Sequence, residues 1–78
     1  MRIFQVETDT HSFAIDQEEL TELGRPENTE AAYHLFVWDK KDPEKSRDYL
    51  ESSVQLAMEI AEEDFGLKHE AWIEVTEE

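Results

Sequence analysis

Residues 31–38 (Ala31-Ala32-Tyr33-His34-Leu35-Phe36-Val37-Trp38) form an almost continuously apolar run, rich in aromatic and β-prone side chains. A run of this length and composition reads as a β-strand covered on both faces, and therefore as an internal strand of a sheet. The rest of the chain must supply its neighbours and a layer to cover it. The polar segment Asp39-Lys40-Lys41 ends the run.

Those neighbours are legible on both sides. Residues 3–8 place Phe4, Val6 and Thr8 on one face of a strand, and residues 11–15 can return with Phe13 and Ile15 together. Asp9-Thr10 lies between them as a hairpin turn. Asp16-Gln17-Glu18-Glu19 has the form of a capping box. With Leu20 and Leu23 as its apolar side, and with Gly24 and Pro26 as stop signals, it predicts a short helix over 17–23. Residues 25–30 read as a polar loop.

Asp42-Pro43-Glu44 carries cap, first-turn proline and first-turn acid in order, so it predicts a long helix from 43 to about 65 that stops at Gly66. At 100° per residue, Leu50, Val54, Ala57, Ala61 and Phe65 form one apolar stripe on it. Residues 69–76 alternate as a half-buried edge strand. The order is β-β-α-β-α-β. The expected fold is a small two-layer α+β domain, with a three- to four-stranded antiparallel or mixed sheet and one long amphipathic helix on one face. Residues 1–78 are read as a single domain, since a chain this short encloses only one core.

Charge limits what such a domain can attract. The chain has 21 Asp and Glu against 7 Lys and Arg, a formal net of −14. Phosphates are repelled, so direct binding to nucleic acid or to anionic membranes is not expected. A basic protein surface is the complementary partner. Solubility or adaptation to high salt would produce a similar composition without any partner. There is no Cys, hence no disulfide and no thiolate metal site. No apolar run reaches the length of a signal peptide or a membrane span, so a cytoplasmic location is expected.

Catalytic signatures do not stand out. His11, His34 and His69 lack metal-ligand spacing, and Gly24 and Gly66 do not make a phosphate-binding loop. Carboxylates are so numerous that no single pair is diagnostic of acid–base chemistry. No enzyme activity, cofactor or metal is expected.

The placement of the acids is more informative than their number. From residue 48 to 67 there are six acids and no Lys or Arg. On the predicted long helix, Glu44, Asp48, Glu51, Glu59, Glu62 and Glu63 lie on the outer face about one turn, roughly 5.4 Å, apart. Ordinary solvated faces mix Glu with Lys. This ladder imitates a phosphate backbone, and Glu18 and Glu22 on the first predicted helix extend it. Trp38 and Trp72 are candidate anchors, because strand alternation can leave one of them outside the core; Trp72, on the edge strand, is taken as the partner-binding one.

In size, charge and helix-on-sheet pattern the chain resembles the small acidic inhibitors made by phages and other mobile elements. These include anti-CRISPR proteins, anti-restriction proteins and uracil-DNA glycosylase inhibitors. The resemblance carries no motif, so no residue role is transferred. It implies steric inhibition of a nucleic-acid-binding protein through its basic surface. An antitoxin or immunity protein that neutralises a basic toxin or nuclease would need the same surface. A small homodimeric interaction module would instead use an exposed strand.

Overall fold

The computed structural model describes residues 1–22 and 25–75, and the side chains among these outside 20–30. Five strands, β1 (Arg2–Glu7), β2 (His11–Glu22), β3 (Arg25–Asp39), β4 (Arg47–Glu51) and β5 (Ile73–Glu74), form one sheet in the order β4-β3-β2-β1-β5. All four pairings are antiparallel. One helix, α1 (Val54–Phe65), and two short 3₁₀ turns, Pro43–Lys45 and His69–Ala71, are the other elements among the described residues. The α+β class is as expected. The element order is β-β-β-β-α-β, with five strands where three or four were expected.

The first hairpin follows the sequence pattern. Phe4 faces Ile15 and Val6 faces Phe13 across the β1–β2 ladder. Thr8 closes the turn twice. Its backbone amide donates to the His11 carbonyl at 2.8 Å, and its hydroxyl accepts the His11 amide at 3.0 Å.

Residues 17–22 depart from expectation. They extend β2 and pair with β3, Gln17 opposite Tyr33 and Thr21 opposite Thr29. A helix of seven residues has too few hydrogen bonds to repay its nucleation. The long hairpin satisfies the same backbone groups across the ladder, so the capping-box pattern yields to non-local pairing. The expected polar loop 25–30 becomes the start of β3. Gly24, expected as the stop of that helix, lies outside the described residues.

The expected helix 43–65 is three elements. Asp42 does cap, accepting from the Glu44 amide at 3.2 Å, but only a single 3₁₀ turn follows. Ser46 returns to extended backbone, and β4 pairs Leu35 with Tyr49 along the edge of β3. The true helix start is Ser53, whose hydroxyl accepts from the Leu56 amide at 3.2 Å. The stop is where the sequence put it. Gly66 has φ 72°, the left-handed conformation that an L side chain resists, and its amide donates to Glu62 at 2.9 Å.

The core lies between α1 and one face of the sheet. Val6, Phe13, Ile15, Leu35 and Val37 meet Ala57 and Ala61 of the helix, with Leu67 and Trp72 closing one side. Ala57 and Ala61 are fully buried, and alanine at both positions lets the helix lie close to the sheet. Leu50, assigned to the helix stripe, sits on β4 and is exposed.

Candidate protein-binding surface

Strand alternation sends Ala32, His34, Phe36 and Trp38 of β3 to the face that α1 does not cover. Residues 31–38 were expected to be covered on both sides. The strand is internal to the sheet, but only one face is roofed. On the open face the rings of His34 and Phe36 stack with centroids 4.1 Å apart, and those of Phe36 and Trp38 stack at 5.4 Å. Positions i, i+2 and i+4 of one strand thus form a column of three rings. Trp38 at its end is 41% exposed, and Leu50 and Ile73 on the same side of the sheet are 53% and 61% exposed.

Carboxylates hold the near end of this column. His34 Nε2 lies 2.9 Å from Asp48 Oδ2, and Nδ1 lies 3.5 Å from Glu18 Oε1. The Asp48 contact is a hydrogen bond, and Glu18 approaches the other nitrogen at ion-pair distance. The ring lies 22° from the plane of Phe36.

Beside Trp38 a groove of about 350 Å³ crosses β3, β2, β1 and β5 toward Ile73. Ala14 and Ser12 line it between the larger side chains. Register puts Glu7 toward one end and Arg2 toward the other. Arg2 is engaged by Asp16 at 3.0 Å, and Lys40 approaches Glu7 at 3.6 Å.

The loop after Trp38 is fixed by Asp39. Its Oδ1 accepts the amides of Lys41 at 2.9 Å and Asp42 at 3.0 Å. The Asp42 and Lys41 hydrogen bonds hold the Asp39 carboxyl below its ordinary value of 3.8. The His11 imidazole, 3.7 Å from Oδ2, acts in the same direction.

The acids singled out from the sequence do not form one ladder. Glu59, Glu62 and Glu63 are on α1, spaced i, i+3 and i+4, with Glu62 and Glu63 exposed. Glu44 stands on the 3₁₀ turn, and Asp48 and Glu51 lie on β4, where alternation sends them to opposite faces. Glu18 joins Asp48 on the open face around His34. Glu22 ends β2 at the register position of Arg25. The expected ladder required a helix through 44–63, and the strand at 47–51 interrupts it.

Trp72 is corrected as well. It is 8% exposed and meets Phe13 edge-on with centroids 6.1 Å apart, so it is a core residue. Its buried indole N–H has no partner among the described residues. Trp38 is the indole that strand alternation leaves outside. The signal for it was the even-numbered set Ala32, His34, Phe36 and Trp38, masked by the equally apolar odd set.

Among the described residues no group of three or more His, Cys, Asp or Glu is arranged to hold a metal ion. No helix among them is long and apolar enough to cross a membrane. No protein-family model matches this sequence, no curated protein is detectably similar to it, and no solved structure matches its fold.

Proposed function

We propose that this chain is an acidic, non-enzymatic inhibitor that occupies the basic nucleic-acid-binding surface of a target protein and excludes DNA or RNA sterically. The observation that carries the reading is the one-signed outer face of α1. Glu59, Glu62 and Glu63 lie on a twelve-residue helix that has no Lys or Arg, within a chain of net charge −14, while Asp64 of the same helix turns towards Tyr49 of β4. A solvated helix gains a few tenths of a kcal/mol from each opposite-charge pair at i, i+4, and this one forgoes them. Charge of one sign steers a basic partner and makes association fast and salt-sensitive. The expected ladder of six carboxylates on one helix is not needed for this. Acids on α1, the 3₁₀ turn and β4 still surround the molecule with negative potential, in the cytoplasm or wherever its target resides.

Affinity capture from the source cell's lysate tests the reading, with and without excess DNA or RNA. A nucleic-acid-binding protein displaced by the competitor is the expected result. The triple variant E59K/E62K/E63K should weaken that capture at least about tenfold, since each reversed charge in steered association contributes roughly half a kcal/mol or more. Capture of a small basic toxin that nucleic acid fails to displace would replace this reading with that of an immunity protein.

A further inference from the structure

We infer that the open face of the sheet is the docking surface, and that its occupant is an arginine-bearing segment of a basic protein. This rests on the proposed reading only in taking the partner to be basic. Four observations converge on the face.

The ring column ends in Trp38, whose outer side Phe36 does not cover, and the indole is substantially exposed. Stacked rings attract a cation, and a planar guanidinium stacks where an ammonium does not. Asp48 flanks the column with two thirds of its side chain exposed, and Glu18 lies on the other side of His34. These two carboxylates stand at the His34 end of the column; at the Trp38 end Glu7 lines the same groove and offers a guanidinium stacked there a carboxylate, which suits its fork of donors.

The column is also pre-organised. His34 is hydrogen-bonded to Asp48 with Glu18 on its other side, and Phe36 is held between two rings, so little side-chain freedom remains to be lost on binding. The groove between Trp38 and Ile73 supplies the apolar recess for the rest of the segment, with Glu7 at its rim.

Charge decides among the possible occupants. A second copy brings another −14, and nucleic acid brings phosphates to a face bordered by Glu7, Asp16, Glu18 and Asp48, of which Arg2 and Lys40 offset two and leave an acidic excess. A cationic segment is the occupant whose charge complements that border.

The test uses the full chain, labelled for NMR, titrated at about 0.15 M salt, where the screening length is roughly 8 Å. The probes are an oligo-arginine peptide, an oligo-lysine peptide of the same length and a short single-stranded oligonucleotide. The two indole N–H signals give a reporter, Trp38, and an internal control, Trp72. The arginine peptide should shift the Trp38 signal, leave that of Trp72 in place, and bind about two- to fivefold more tightly than the lysine peptide. Trp38→Ala and Trp38→Leu should both lose that preference, the second because it keeps apolar bulk without a ring.

Equal binding of both peptides, unmoved by either Trp38 variant and lost in E59K/E62K/E63K, would overturn the inference while leaving the acidic-inhibitor reading intact. Shifts of Trp38 with the oligonucleotide alone, or with the protein's own concentration, would overturn it in favour of nucleic acid or of a second copy. Silence of Trp38 towards every probe would overturn it too, whatever the lysate capture shows.

Discussion

The two faces of the sheet are built by the same strands, yet they differ in what completes them. On one face, Val6, Phe13, Ile15, Leu35 and Val37 are roofed by α1 and lie in a closed core. On the other, His34, Phe36 and Trp38 stack on each other and no element of the described chain lies over them. The difference is one of side-chain character as well as cover. The roofed face mixes aliphatic residues with Phe13 and Trp72, backed by Phe4, Tyr33, Tyr49 and Phe65, and fills volume against Ala57 and Ala61. The open face carries a column of three stacked rings, bordered by carboxylates and by the pairs Arg2–Asp16 and Lys40–Glu7. Acidity alone describes neither face, because the carboxylates sit at their borders.

The largest effect should come from breaking the roofed side. Ala61→Asp puts a charge at a fully buried position, and should cost at least about 3 kcal/mol. Urea unfolding followed by far-ultraviolet circular dichroism would read it. An unchanged midpoint would mean that α1 is rotated from the phase described.

A matched pair of variants sharpens the contrast between the faces. Leu35→Ala should cost about 2–5 kcal/mol, as deletions from closed cores do. Trp38→Ala removes one ring stack and should cost only about 0.5–1.5 kcal/mol. Equal losses would show that both faces are closed in solution.

The smallest effect lies at the loop that ends β3. Because Asp39 is held below its ordinary value in the folded chain, its contribution is fully present above that value. It is lost as pH falls below 3.8 and on through the lower folded-state value. Asp39→Asn should therefore lower stability slightly in the neutral region, converge with the wild type in acid, and so flatten the acid limb of a stability-versus-pH curve. A wild-type limb as steep as that of the variant would remove Asp39 from the account.

How much of this was legible in the sequence differs element by element. The β1–β2 hairpin was, because Phe4, Val6, Phe13 and Ile15 alternate on either side of a turn. The stop at Gly66 and the phase of Ala57 and Ala61 were legible too, since both are local properties of a 3.6-residue period. Residues 17–22 and 47–51 were not. Each carries a real helical signal, the capping box at Asp16 and the Asp42-Pro43 start, worth about 1 kcal/mol. A ladder with β3 outweighs that by satisfying a whole row of backbone groups, and its partner lies many residues away. The candidate surface followed the same division. Its charge was plain, but Trp38 was exchanged for Trp72 because the choice between them depends on which face α1 covers.

Thus composition and local periodicity determined the α+β class, the acidity of the surface, the internal position of residues 31–38 and the end of the helix. These depend on interactions within a few residues, or on none. Only the tertiary structure decided that β3 has one bare face, that the acids are divided among a helix, a turn and an edge strand, and that His34, Glu18 and Asp48 meet. Each of those depends on strand register, and register is set by the packing of the whole sheet against one helix.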